Sequence, residues 1–164
     1  MKFKNILVSF LIGLIFWVLL NNSFDPLILG IGAALSLMLS LIFCSKCNIF
    51  SELKLTPIAL VYTIIYLFVF LFELVKSNLD VARRVITPSL PINPGIVEVK
   101  TKLQSKMGRM ILANSITLTP GTLTIDIKDD TLFIHWIDVK TEDINDATVQ
   151  IVRKFEKYLE KIYG

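Results

Sequence analysis

Residues 57–88 read PIALVYTIIYLFVFLFELVKSNLDVARRVITP, and the chain changes character inside this stretch. Up to Val75 it is bulky, aromatic and apolar. From Lys76 onward charges enter, yet Leu79, Val81, Ala82 and Ile86 follow Leu74 and Val75 at helical spacing. One helix is therefore predicted to run through both parts and to leave the bilayer near Lys76. Thr87-Pro88 stops it, because proline lacks the donor N–H and restrains the residue before it. The change in solvent holds on either side. Through Val75 the only basic residues are Lys2, Lys4, Lys46 and Lys54 and the only acids Asp25, Glu52 and Glu73, whereas all other charges come later. With 54% hydrophobic residues against 19% charged, the composition exceeds that of ordinary soluble domains and reads as an integral membrane protein. A net charge of +3, mixed with acids along the second half, gives no focused positive field, which sets nucleic-acid binding aside.

Toward the N-terminus lie two further apolar stretches, Ile6 to Leu20 and Leu27 to Phe43. At ~1.5 Å rise per residue and a hydrocarbon core ~30 Å thick, the second and third stretches approach the ~20 residues of a full span. The first is short unless Phe3 and Asn21 sit at the interfaces. It resembles a secretory leader, but no small-x-small cleavage site follows and NNSFDP leads straight into the next apolar run, so it reads as a retained helix in a tight hairpin. Gly32, Ser36 and Ser40 recur every fourth residue, with Gly30 and Ala34 beside them. Such a stripe lets a second helix backbone come close in lipid. It reads equally as a subunit-contact face and as the seat of the third helix. Cys44 and Cys47 form one lone C-x-x-C pair, which lacks the further ligands of a structural zinc site and reads as two free thiols.

Orientation is in conflict. Lys2, Lys4, Lys46, Lys54, Lys76, Arg83 and Arg84 would all prefer the cytoplasm, and three crossings cannot satisfy them. Either the chain starts outside, or the short hairpin fails to span, or the C-terminal domain is outside.

Residues 1–76 are thus expected to form about three transmembrane helices with a short first hairpin, residues 77–94 a helix extension and linker, and residues 95–164 a small α+β domain. In that last region IVEVK is a strand and KLQSKMGRMILA a helix, while LTIDI and LFIHWI form a hairpin across KDDT. Ile144, Ala147, Ile151, Val152, Phe155, Leu159 and Ile162 place one amphipathic helix over a sheet face. The order fits a split β-α-β domain. About seventy residues make a marginal core, which membrane or partner contact would help to hold.

ANSITLTPGTLTIDI, residues 113–127, carries four threonines around Pro120-Gly121. A two-residue turn there would pair Leu118 with Leu123 and Ile116 with Ile125, the threonines sharing the other face. L-Pro-Gly favours a type II turn, however, whose twist splays hairpin strands, so the turn is expected to open into a loop. The stretch reads either as a half-buried strand pair or as a docking edge, with Thr117, Thr119, Pro120, Gly121 and Thr122 as subunit-contact candidates.

This segment, with LFIHWID after it and FELVKSNLDVARRVITPSLPINPGIVEV before it, resembles the E-type component of Mrp-type multisubunit cation/proton antiporters, including the related component of membrane-bound hydrogenase and respiratory assemblies. The likeness covers nearly the whole chain. It implies a multi-pass accessory subunit in the cell membrane, among larger antiporter-like partners that exchange protons for Na+ or another monovalent cation, with the C-terminal domain cytoplasmic. The C-x-x-C pair is outside that resemblance.

Glu73 is the one acid deep in an apolar run and so an ion-path candidate with Lys76. Its plainer reading is a paired strip, Glu73, Lys76 and Asp80 falling at helical steps where the helix leaves the bilayer. His135, the single histidine, sits on a predicted strand and reads as packed or hydrogen-bonded. No nucleophile elbow and no phosphate-cradling loop occurs, so neither an enzyme, nor a cofactor, nor a metal is expected. The competing class is a self-contained membrane-anchored binding domain, which needs a pocket or a charged ligand surface in the second half.

Overall fold

The computed structural model describes residues 2–44, 52, 54 and 56–164, without the side chains of Lys2 and Cys44. The expected thiol pair therefore lies outside the described residues. The chain divides into two compact units, Met1–Leu53 and Lys54–Gly164, and three of its helices are long and apolar enough to cross a membrane.

The first unit holds α1 (Lys2–Asn21) and α2 (Pro26–Cys44). Asn22 takes φ 46°, a left-handed value asparagine tolerates, and turns the chain. The Asp25 carboxylate then accepts from the Leu27 (2.8 Å) and Ile28 (3.4 Å) amides, and Pro26 opens the helix where its missing N–H costs nothing. The small-residue stripe is the seam of this hairpin. Trp17 lies over Gly32, where any Cβ would collide with the indole, and the indole N–H donates to the Ile28 carbonyl at 2.9 Å. Gly13 faces Ser36, and Ser36 and Ser40 are both buried.

In the second unit α3 (Pro57–Ile86) is a single 30-residue helix, capped by the Thr56 hydroxyl on the Ala59 amide (3.2 Å) and ended at Thr87 before Pro88, as the sequence requires. The strands β1 (Gly95–Lys100), β2 (Thr122–Lys128) and β3 (Thr131–Trp136) form a sheet in the order β1-β3-β2. Both outer strands run antiparallel to β3 and hence parallel to one another, the split β-α-β arrangement. The β2-β3 turn falls in KDDT, with Asp129 at φ 52°. Val97 and Val99 on β1 sit opposite Ile134 and Leu132, and all four are buried.

Two expectations are corrected. The crossover helix α4 (Lys106–Leu118) begins and ends later than KLQSKMGRMILA, so ANSITL is helical and the pairs Leu118–Leu123 and Ile116–Ile125 do not form. Ser105 decides the start, its hydroxyl accepting from the Gly108 amide at 3.0 Å. Leu112, Ala113, Ser115 and Ile116 follow one buried face at helical spacing, which overrides the β preference of the threonines. The terminal helix is also two helices, α5 (Ile144–Ile151) and α6 (Arg153–Tyr163), meeting at Val152, although its expected apolar residues from Ala147 to Ile162 are buried. The helix α5 packs on β1, α4 on β2, and α6 on α4, α5 and α3.

Candidate functional site

The hydroxyls of the threonine segment have structural partners. A helix leaves its last four carbonyls without intrahelical donors. Here the Thr119 hydroxyl donates to the Ser115 carbonyl (2.6 Å), Thr122 to Ile116 (2.6 Å) and Thr119 (2.9 Å), and Thr124 to Ala113 (3.1 Å). Thr117 works the other way, accepting from the Thr124 amide at 3.1 Å. The segment is a capped helix-to-strand corner rather than a strand pair. Gly121 makes the turn at φ 92°, and a Cβ there would stand 3.0 Å from Ile137 Cγ2 and 3.7 Å from Val81 Cγ2, so the corner sits tightly against Ile137 and in ordinary contact with α3. Gly121→Ala is expected to cost ~1–2 kcal/mol from the backbone alone, read as a lower unfolding temperature of the whole chain in detergent.

Beside this corner a cleft of about 570 Å³ opens between α3 and the domain, lined among others by Glu73, Arg84, Gly121, Trp136, Asp138 and Lys154. Its charges are cross-linked. Glu73, with a side chain 15% exposed, accepts from Lys154 at 2.9 Å, and Lys76 stands 3.8 Å away on the solvent side. Arg84 joins Asp80 (2.7 Å) to Asp138 (2.9 Å) and donates to the Pro91 carbonyl (2.6 Å). Asp80 thus pairs with Arg84 rather than extending the Glu73–Lys76 strip. Higher on α3, Tyr66 hydrogen-bonds Ser115 and meets Phe155 edge-on, ring centroids 6.4 Å apart. Glu156, 1% exposed, accepts from the Thr101 hydroxyl and the Lys102 amide, both at 2.6 Å, and pairs with Arg153. Burial also raises the Tyr163 hydroxyl above its ordinary value.

Among the described residues no three His, Cys, Asp or Glu side chains come together as a metal site. His135 is half-buried on β3, opposite Ile96 and Leu123. Sequence reading missed the partners Lys154 and Asp138, which lie 81 and 54 residues from Glu73 and Arg84, beyond any local spacing signal. Glu156 carried a faint one, falling four residues after Val152 on the apolar side of α6.

A family model described as Na+/H+ ion antiporter subunit matches residues 10–162 of the chain. The chain belongs to the E-type family of Na+/H+ antiporter subunits. Within that family it is 34% identical over 140 residues to the E-type protein of Alkalihalophilus pseudofirmus, covering 84% of this chain and 85% of that one. It is 32% identical over 163 residues to the E1-type protein of Staphylococcus aureus, covering 96% and 93%. The match to the E-type protein of Bacillus subtilis, 41% over 97 residues, spans 60% of that protein's length. Among solved structures the chain is similar to one from the membrane-bound sulfane sulfur reductase, an archaeal respiratory membrane complex, with a TM-score of 0.84, 45% identity and coverage of 94% and 96%. The family expectation read from ANSITLTPGTLTIDI and its flanks is thereby confirmed.

Proposed function

We propose that this chain is an accessory, E-type component of a multisubunit monovalent cation/proton antiporter in the cell membrane, serving assembly while larger companions move Na+ and H+. The observation that carries this reading is the Glu73–Lys154 pair. The one acid within the apolar run is held by a cation of the chain's own C-terminal domain, so it ties α3 to α6 instead of standing open to a passing ion. The hydroxyls and carboxylates around it are likewise engaged in holding the domain together. Glu73→Gln is expected to weaken that tie by on the order of 1 kcal/mol and to lower transport modestly at most, measured as Na+-dependent proton movement in everted vesicles. A complex that assembles normally but no longer transports would overturn the assignment.

The similarity to a chain of a respiratory membrane complex favours a second reading, in which the same accessory role is played in a redox-driven host. Gentle extraction and mass spectrometry of the companions distinguishes the two. Large antiporter-like companions alone support the first, and additional ones bearing redox centres support the second. A stable, solitary species binding a ligand of its own would instead favour the self-contained domain. In this reading partners contact the outer side of the Thr117–Thr122 corner, where Thr117 is exposed and Pro120, Gly121 and Thr122 are half-buried, whereas Gly32, Ser36 and Ser40 are taken up by the hairpin seam.

A further inference from the structure

We infer that α3 does not cross the bilayer but lies in its cytoplasmic face, so that the chain crosses twice. Length and apolarity alone would make α3 the third span. Its surroundings argue otherwise, because one side of it carries the C-terminal domain from end to end. Lys54 Nζ, just before the helix, donates to the Gly164 carbonyl at 3.0 Å. At the middle of the apolar run Tyr66 bonds Ser115 and abuts Phe155, and Phe70 meets the same ring with centroids 6.5 Å apart. Glu73 binds Lys154, and at the far end Arg84 binds Asp138.

These attachments begin before Pro57 and end at Arg84, and the helix from Ala59 to Arg84 alone extends about 38 Å, more than the thickness of the hydrocarbon core. A transverse α3 would therefore carry α6 into the hydrocarbon, with Lys157 and Lys161 exposed on it. Charged side chains at that depth are costly unless they face protein or water. The opposite side of α3 is apolar along its length. Val61, Ile65, Phe68, Phe72, Val75 and Leu79 recur at steps of three and four, each between 40% and 67% exposed. A long helix that carries a charged domain on one side through Tyr66, Phe70, Glu73 and Arg84 and leaves its remaining sides greasy suits a helix lying at a membrane interface.

Charge supplies an independent argument. If α1 and α2 form the only crossings, both ends of that hairpin share a side, and Lys2, Lys4, Lys46, Lys54, Lys76, Arg83 and Arg84 all lie in the cytoplasm. The outer turn, Asn21 to Asp25, contains no Lys or Arg. The orientation conflict that three crossings create disappears. The occupant of the apolar face is thus the hydrocarbon-headgroup boundary of the inner leaflet, whose anionic lipids complement the flanking cations.

The test uses the whole complex in its own membrane, in a Cys44→Ser, Cys47→Ser background. Ser23→Cys, Glu52→Cys and Ser89→Cys are probed with a membrane-impermeant maleimide. Ser23→Cys is expected to react in intact cells, and Glu52→Cys and Ser89→Cys only in inside-out vesicles. Reaction of Glu52→Cys and Ser89→Cys from opposite sides overturns the inference. Depth is read separately from spin labels at Val61→Cys, Phe68→Cys and Val75→Cys in phosphatidylethanolamine/phosphatidylglycerol vesicles. An interfacial helix gives three similar, shallow depths with high oxygen access. A spanning helix spreads these sites over about 21 Å with Phe68→Cys deepest, and a face covered by another protein gives low access to oxygen and to water-soluble relaxants alike; either outcome overturns it.

Discussion

Glu156→Ala is expected to destabilise the C-terminal unit by on the order of 3 kcal/mol, among the larger losses in the chain. The carboxylate is 1% exposed and ties α6 to the connection between β1 and α4. One oxygen gathers the Thr101 hydroxyl and the Lys102 amide where β1 gives way to the loop before α4, and the other pairs with Arg153 at the start of α6. Thr101 in turn receives the Leu103 amide at 3.2 Å, so the whole connection is fixed through this side chain. Alanine removes the acceptor and strands the buried Thr101 hydroxyl, which costs ~1–3 kcal/mol when unpaired, together with the part-buried Lys102 amide. In thermal unfolding of the full chain in detergent, the midpoint is expected to fall by roughly 10 °C or more. Glu156→Gln keeps an acceptor oxygen in place and is expected to lose distinctly less. Equal midpoints for the alanine variant and the parent would refute the account.

Gly32→Leu is the second large effect, and it acts on the other unit. Trp17 lies where a Cβ at position 32 would be, and from there its indole N–H reaches the Ile28 carbonyl at 2.9 Å. In lipid no hydrophobic drive holds two helices together, so the close backbone approach that glycine permits supplies much of the attraction. Overpacking such a contact costs ~1–3 kcal/mol. The readout is an oxidative cross-link between Gly13→Cys and Ser36→Cys in the background lacking both native cysteines, since a Cβ at Gly13 stands 3.2 Å from that of Ser36. Cross-linking is expected to be efficient with Gly32 present and to drop about tenfold with leucine there. Gly30→Leu serves as the control, because nothing lies within 4 Å of a Cβ at that position. An equal drop in both variants would show that the seam is not what matters.

Comparing α3, α4 and the small-residue stripe shows where sequence reading succeeds. The long helix over Pro57–Ile86 was legible to its last residue, because continuous helical spacing and Thr87-Pro88 are local signals. The β2-β3 hairpin was legible for the same reason, through alternation and KDDT. The threonine segment was misread because its fate depends on Ser105 starting a helix and on Leu112 and Ile116 finding a core, and both facts lie outside the segment's own turn signals. In the stripe the capacity for close approach was visible, but its partner was not.

The amino-acid order by itself therefore determined the membrane class, the extents of the long helices, the split β-α-β order and the family, since each rests on periodicity, caps and motifs within a few residues of one another. Only the tertiary structure decided that Gly32 receives Trp17, that the threonines cap α4, and that Glu73, Arg84 and Tyr66 are matched by Lys154, Asp138 and Ser115. Those pairings join positions up to 81 residues apart. They are set by which faces pack against one another, and no local spacing rule encodes that choice.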